Sequence, residues 1–215
     1  MSRTKRITAT LAGLVLTATL AACADQSATP PSATTSPTSS TSATATESAS
    51  ASASTDVAAD HNDQDTTFAQ MMIIHHEGAI EMSQLAIEQA ETPEVVALAE
   101  RIAEAQGPEI DEMTAWLSAW GEDVSPDDHG GMDMGGMDMN GMSQEEAMAD
   151  LEGRSGADFD RQFLELMIAH HKGAVEMAQT ELDEGENPQA LELAQKIIDD
   201  QQTEIAEMQE MLQSL

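Results

Sequence analysis

The folded part of the chain is predicted from a helical spacing of apolar residues that begins near residue 65. Over residues 65–90, apolar side chains recur every three, four or seven positions and therefore share one stripe of a helix: Phe68, Met72, Ala79, Met82 and Ala86. Thr92-Pro93 interrupts this pattern with a residue that caps helices and one that begins them. A second amphipathic helix follows from Pro93 to about Trp120, so that residues 65–120 form a hairpin.

The same pattern occurs again at a constant offset of 95 residues. The offset aligns acidic residues, histidine pairs and prolines: Asp65/Asp160, His75-His76/His170-His171 and Pro93/Pro188. The repeat predicts a second hairpin over residues 156–214, with helices from about Gly156 to Glu184 and from Pro188 to about Gln213. Each hairpin can bury its apolar stripe only against the other, which predicts an all-α four-helix bundle over residues 60–215. A long connection, residues 122–155, joins the hairpins.

The N-terminal region has the features of an export signal followed by a tether. Three basic residues precede an apolar run, Ile7 to Leu20, that has the length of a signal-peptide core. The run ends in Leu20-Ala21-Ala22-Cys23, which resembles the lipobox of bacterial lipoproteins, so residues 1–23 are predicted to be a signal peptide with Cys23 as the lipidation site. Residues 24–59 are rich in Ala, Ser, Thr and Pro and predict a disordered tether. We therefore expect an extracytoplasmic protein, lipid-anchored to the bacterial cell membrane.

Composition narrows the class of protein further. The chain has 40 acidic and 8 basic residues, and its formal net charge is −32. A surface of this charge repels polyanions, so we expect no nucleic-acid partner. A single Cys cannot form an internal disulfide or a Cys-based zinc cluster. Aromatic residues make up only 2% of the chain, which leaves an aliphatic and methionine-rich core that suits helices.

Each predicted hairpin carries a motif of Met and His on its first helix, at residues 72–82 and 167–177. The Met and His positions of each motif lie on a common side of the helix, and the second helix of the first hairpin adds Gln106, Glu109 and Met113. Thioether sulfur is a soft ligand and imidazole a borderline one, a set that favours Cu(I) and tolerates Cu(II). The candidate metal ligands of the two hairpins are Met72, His75, His76, Met82, Met113, Met167, His170, His171, Met177 and Met208.

Both residue types also have ordinary structural roles. Met at helical spacing is often core filler, and a buried His is often a hydrogen-bonded structural residue. Ligation is favoured for the histidines because four of the six in the chain form the two adjacent pairs. Adjacent helical residues point about 100° apart, so one His of each pair can face the interior while the other meets a neighbouring helix or solvent. Which His of each pair binds stays open at this point.

The connection contains a second candidate site. Between residues 128 and 142, Met alternates with Gly and Asp at spacings of two or three residues, which is no pattern for a hydrophobic core. Exposed Met is an oxidation liability, whereas flexible Gly-rich backbone allows several sulfurs to surround one ion. The segment therefore predicts capture of Cu(I) or Ag(I), with the candidate ligands His129, Met132, Met134, Met137, Met139 and Met142.

The duplicated motif Met-x-x-His-His-x-x-Ala-x-x-Met resembles the family known as domain of unknown function 305. The resemblance extends over about residues 60–215. It implies an exported protein with a ferritin-like four-helix fold and a link to copper resistance. It also implies copper binding through the bundle residues Met72, His75, His76, Met82, Met167, His170, His171 and Met177.

The leading hypothesis is a membrane-tethered, non-enzymatic copper buffer or chaperone that takes up Cu(I) and exchanges it with a delivering or receiving envelope protein. Copper is its expected metal, with Cu(I) favoured, and no organic cofactor is expected. A ferritin-like metal-dependent redox enzyme is a minor alternative, because the Glu-x-x-His signature of di-iron proteins is missing. The other alternative is an envelope structural or interaction module in which Met only fills the core.

Overall fold

The computed structural model describes residues 57–125, 139 and 141–215 of the chain. Its helices are α1 (Asp63–Gln89), α2 (Pro93–Trp120), α3 (Gln144–Glu152), α4 (Gly156–Glu184) and α5 (Pro188–Ser214). No β-strand occurs among these residues, so the all-α prediction is confirmed. None of the helices in this part of the chain has both the length and the apolar character needed to span a bilayer. The predicted signal peptide, Cys23 and residues 24–56 of the predicted tether lie outside the described residues.

Helices α1 and α5 begin where an asparagine side chain satisfies free backbone N–H groups of the first turn. Asn62 caps α1, because its side chain accepts hydrogen bonds from the N–H groups of Gln64 and Asp65. The Asp65 side chain in turn accepts the N–H of Asn62 at 2.7 Å, which completes a capping box. Helices α2 and α5 both begin at a proline, as the sequence predicts.

The connection between the hairpins contains a helix that the sequence analysis does not include. Helix α3 is nine residues long and begins with a capping box in which Ser143 and Glu146 exchange side-chain and backbone hydrogen bonds. It buries Ala147 and Leu151 and packs against α1 and α4. The Met-rich part of the connection is therefore followed at once by an element that is fixed to the hairpins.

The four long helices form two hairpins that meet through their first helices. Helix α1 packs along α2, α4 packs along α5, and α1 packs against α4. Two apolar clusters fill the interior, one around Phe159 and Phe163 and the other around Phe68 and Trp116. The paired arrangement buries the apolar stripe of each hairpin, which is what stabilises two helical hairpins together.

The residues immediately before α1 form hydrogen bonds with the C-terminal end of α2 and the N-terminal end of α5. Ala58 accepts a hydrogen bond from Trp120 Nε1 at its carbonyl oxygen, at 2.9 Å. The backbone N–H of Ala58 donates to Gln189 Oε1 at 2.7 Å. The ring of His61 stacks on Trp120, with centroids 4.5 Å apart and planes 6° from parallel. The last residues of the predicted tether, 57–59, are thus in contact with the helices.

Two buried aspartates join the hairpins to each other. Asp160 on α4 accepts the N–H groups of Glu91 and Thr92, in the turn between α1 and α2, at 3.0 and 2.8 Å. Its repeat partner Asp65 on α1 accepts the N–H groups of residues 186 and 187, in the turn between α4 and α5, at 2.9–3.3 Å. Each carboxylate therefore lies at the N-terminal end of a helix in the opposite hairpin, where the helix dipole favours negative charge.

We expect Asp160→Ala to lower the free energy of unfolding by about 1.5–3 kcal/mol, because buried backbone N–H groups lose a charged acceptor. The exposed Asp158, in the first turn of the same helix, provides the matched control, and Asp158→Ala should change stability by less than about 0.5 kcal/mol. Denaturant unfolding of both variants measures the difference. Equal stability of the two variants would show that the aspartate contacts do not hold the hairpins together.

The two halves differ beside Asp65, where α4 contributes a second buried carboxyl group. Glu181 is fully buried, and its repeat counterpart is Ala86. Burial and the neighbouring Asp65 carboxylate raise the pKa of Glu181 to about 8. Burial also opposes ionisation of Asp65, but its hydrogen bonds outweigh this effect and lower its pKa. Glu181 is therefore the protonated member of the pair at neutral pH.

We expect Glu181→Gln to increase stability at pH 7 and above. In the unfolded chain Glu181 loses its proton near pH 4.5, whereas the folded protein keeps it until about pH 8, so folding stability falls as pH rises between these values. Glu181 changes the free energy of unfolding by at most about 1.4 kcal/mol per pH unit. The Gln side chain does not titrate in this range, so the substitution removes this contribution. Unfolding measured from pH 5 to 8 tests this, with Glu184→Gln at the exposed end of the same helix as control. An unchanged slope in Glu181→Gln would contradict the assignment.

Candidate metal centre

One histidine from each pair meets the other where α1 and α4 pack together. The ring centroids of His75 and His170 are 3.6 Å apart, with planes 39° from parallel. Both side chains are almost fully buried, with exposed fractions of 2% and 3%. They line a cavity of about 330 Å³ whose other lining residues are Ile74, Glu77, Gly78, Glu81, Met139 and Gln144. Two imidazoles from different hairpins therefore line one cavity.

The second histidine of each pair contacts the neighbouring helix of its own hairpin. His76 Nε2 lies 2.8 Å from Glu109 Oε2 on α2, and His171 Nε2 lies 2.7 Å from Glu204 Oε2 on α5. Because a carboxylate can only accept, Nε2 of each ring carries the proton and Nδ1 has a free lone pair. Neither Nδ1 has a hydrogen-bond partner among the described residues. The structure therefore shows which way each ring faces, since His75 and His170 line the cavity and their neighbours contact α2 and α5, while the metal-ligand role of all four histidines stays a prediction.

Burial controls the protonation of His76 and His170. It lowers the pKa of His76, although the hydrogen bond to Glu109 partly opposes the shift. Burial, reinforced by repulsion from His75, brings the pKa of His170 well below its ordinary value. Both rings are therefore neutral at physiological pH, which is the state in which imidazole binds metals.

The carboxylate of Glu109 is stabilised from two sides. Burial alone would raise the pKa of Glu109, but hydrogen bonds from His76 and Lys196 outweigh it and lower the pKa. The Lys196 Nζ lies 2.8 Å from Glu109 Oε1 and 2.8 Å from Asp200 Oδ2. Glu109 therefore stays ionised and orients the ring of His76, as carboxylates do beside metal-binding histidines.

The methionines predicted as ligands occupy different environments. Met139 lines the cavity with an exposed fraction of 1%, and Met142 exchanges two backbone hydrogen bonds with it. Met139 also belongs to the first apolar cluster and Met142 packs against it, and the other described candidates lie in or against the two clusters without lining the cavity: Met72, Met82, Met113, Met167, Met177 and Met208. Their ligand role stays a prediction. The candidates His129, Met132, Met134 and Met137 lie outside the described residues.

The sequence analysis missed several residues of the cavity. Glu77, Glu81 and Gln144 line it, and Gln144 is the first residue of α3. The only signal for Gln144 is the Ser143-x-x-Glu146 capping pattern, which places a helix start directly after the Met-rich segment. No cluster of three or more His, Cys, Asp or Glu side chains suited to a metal occurs within the described part of the chain. Among the described residues that line the cavity, Met139 is the one that carries a sulfur atom.

The connection is attached to α1 at both ends. Gln70 Nε2 donates to the carbonyl oxygen of Asp123 at 2.7 Å, and Gln144 Nε2 donates to that of Gly78 at 3.1 Å. The two attachment points are eight residues apart on α1, or about 12 Å at the helical rise. Both ends of the Met-rich connection are thus held close to the cavity.

The family described as Domain of unknown function (DUF305) matches residues 65–212 of the chain. The chain belongs to this family. The DUF305 match covers both hairpins and the connection, which confirms the resemblance carried by the duplicated motif. No protein of curated function matches the chain.

Several DUF305 structures are similar to this one. A protein of the family from Streptomyces coelicolor is 30% identical, with a TM-score of 0.64, 70% of this chain covered and 93% of that chain. A DUF305 fragment from Deinococcus radiodurans is 32% identical, with a TM-score of 0.63, 72% of this chain covered and 98% of that chain. CopM in its Cu(II)-bound form is 35% identical, with a TM-score of 0.58, 70% of this chain covered and 96% of that chain. CopM is also known in Cu(I)-bound and Ag-bound forms.

We expect the ring of His170 to stay neutral at pH 6, because burial and the neighbouring imidazoles disfavour its charged form. Ring-nitrogen NMR shifts of the histidines, followed from pH 8 to pH 5, measure this directly, and His170→Gln assigns the signal. Titration of His170 at its ordinary pKa of about 6.5 would contradict the buried geometry.

Proposed function

We propose that this DUF305 protein binds copper and holds one ion in the cavity lined by His75 and His170. The observation that carries the proposal is the meeting of two buried imidazoles at the contact between the hairpins. The related protein CopM is known with Cu(I), Cu(II) and Ag bound, at 32–35% identity to this chain. Copper is therefore the metal that both the chemistry and the family favour.

The chemistry of the cavity supports copper over harder ions. Neutral imidazole is a borderline ligand that suits both oxidation states of copper, whereas Mg²⁺ and Ca²⁺ prefer a cage of oxygen ligands. His170 Nδ1 is buried and has no hydrogen-bond partner among the described residues, so it can ligate without breaking a contact. Exposed Glu77 and Glu81 line the same cavity and attract cations toward it.

The cellular role follows from the rest of the chain. We propose that the protein is lipid-anchored through Cys23 on the extracytoplasmic side of the membrane and that residues 24–56 act as its tether. A relative from Streptomyces coelicolor is named as a candidate secreted protein, which favours this location. Within a ferritin-like four-helix bundle, the cavity would store copper captured by the Met-rich segment. The protein would thus serve as a non-enzymatic buffer or chaperone that favours Cu(I) and exchanges it with an envelope protein.

The test is a copper titration of the purified full chain in competition with a chromophoric Cu(I) chelator. We expect His75→Ala/His170→Ala to bind about one fewer ion per chain than the unchanged protein. Copper should also raise the melting temperature of the unchanged protein, because a ligand at 100 times its Kd adds about 2.7 kcal/mol to the stability of the state that binds it. The double variant should show a smaller increase.

The matched control is His61→Ala, which removes a histidine that stacks on Trp120 and does not line the cavity. This control should bind copper as the unchanged protein does, and circular dichroism verifies that all variants stay helical. Full copper binding by the double variant would exclude the cavity as the site. Absence of copper binding by the unchanged protein would favour an envelope structural module, and turnover with oxygen would favour a redox enzyme.

A further inference from the structure

Met139 enters the cavity from outside the long helices, at the end of a short reversal of the chain. Met139 and Met142 exchange backbone hydrogen bonds of 3.1 and 3.2 Å. Gly141 has a φ of +84°, a left-handed conformation that other residues adopt at a cost. The reversal turns the Met139 side chain inward, and only 1% of this residue remains exposed. Met139 thus lines the same cavity as His75 and His170 and is shielded from water.

The position of this turn is set by the contact between α3 and α1. Gln144 follows the turn by two residues, and its Nε2 donates to the carbonyl oxygen of Gly78 and to Glu81 Oε2, at 3.1 and 3.2 Å. A Cβ added at residue 78 would lie 2.9 Å from Gln144 Oε1, so the Gln144 side chain would have to move away from this position. Gly78 is also only three residues from His75. We call this contact, between Gln144, Gly78 and Glu81, the latch.

The ligand set of the cavity depends on whether Met139 occupies it. Two imidazoles and one thioether form a soft, three-ligand set that suits monovalent copper or silver. Two imidazoles without sulfur leave coordination positions for water, which suits the harder Cu(II). The residue that supplies the sulfur is therefore the one that separates the two oxidation states.

We propose that Met139 determines the preference of the cavity for Cu(I) over Cu(II), and that the latch between Gln144 and Gly78 holds Met139 in position for this. The inference rests on the proposed copper site and specifies its selectivity. It makes Met139 a ligand of the bound ion. Gln144 and Gly78 are positioning residues, since they act through the turn that carries Met139.

The experiment measures affinity at the cavity itself, so that binding elsewhere in the Met-rich segment does not interfere. The full chain with ¹⁵N-labelled histidine is titrated with Ag(I), a redox-stable substitute for Cu(I), and the shift of the His170 ring signal reports occupancy. A parallel titration with Cu(II) uses the paramagnetic loss of the same signal. We expect Met139→Leu to weaken Ag(I) binding by about 10–100-fold and to change Cu(II) binding by less than about threefold.

The matched control is Met148→Leu, which changes a partly buried methionine of α3 that does not line the cavity. It should leave both titrations unchanged. If Met139→Leu binds Ag(I) as tightly as the control does, Met139 is not a ligand and the inference is wrong, while the copper site itself stands. Equal weakening of Ag(I) and Cu(II) would also overturn it, because Met139 would then confer no selectivity. Absence of any His170 response in the unchanged protein would instead refute the proposed copper site.

A second variant tests the latch without removing the sulfur. Gly78→Ala places a methyl group against Gln144, whereas Gly107→Ala, in the middle of α2, meets no atom within 4 Å. We expect Gly78→Ala to weaken Ag(I) binding by about tenfold with little effect on Cu(II), and Gly107→Ala to change neither. Unchanged Ag(I) binding in Gly78→Ala would show that the latch does not position Met139.

Discussion

The architecture depends on the exchange of aspartate contacts between the two hairpins. Asp65 and Asp160 each accept backbone hydrogen bonds from the turn of the opposite hairpin, and each is itself buried. From either aspartate the chain continues for ten residues, about 15 Å of helix, to the histidine that lines the cavity. Asp65 joins the start of α1 to the turn after α4, Asp160 joins the start of α4 to the turn after α1, and the rings of His75 and His170 meet between these two contacts. The geometry of the proposed metal site thus depends on how the hairpins are joined.

The adjacent histidines divide two tasks that a metal site requires. The angle of about 100° between neighbouring helical residues directs one ring of each pair toward the other hairpin and its neighbour toward the second helix of its own hairpin. His75 and His170 take the first direction, while His76 and His171 take the second and meet carboxylates. The hydrogen bonds of the second pair tie α1 to α2 and α4 to α5, at the level of the cavity. The two helices that carry the cavity histidines, α1 and α4, are therefore each joined to the second helix of their own hairpin next to the cavity.

Much of this arrangement was predictable from the sequence, because the same helical spacing of apolar, His and Pro residues occurs in both halves of the chain. The helix-breaking prolines, the histidine pairs and the placement of Glu109 near them all follow from spacing along a helix. The contact between the rings of His75 and His170 does not, since spacing alone cannot tell which His faces the other hairpin. Helix α3 and its contact with Gly78 were missed for a related reason. The contact joins residues 66 positions apart in the chain, and it has no counterpart in the repeat that could reveal it.

The connection between the hairpins has no counterpart in the repeat, and it offers a way for an internally duplicated protein to form the proposed site with three ligands. Because the two halves are related by a pseudo-two-fold axis between α1 and α4, candidate ligands on these helices come in pairs, such as His75 and His170. Two imidazole nitrogens, which are borderline ligands, do not by themselves favour a monovalent ion. The connection occurs once in the chain, so a residue within it breaks the symmetry. Met139 does so at the cavity, just as Glu181 does at the turn beside Asp65, where the repeat has Ala86. Duplication accounts for the pair of imidazoles, and the single connection accounts for the third ligand that we propose makes the set selective.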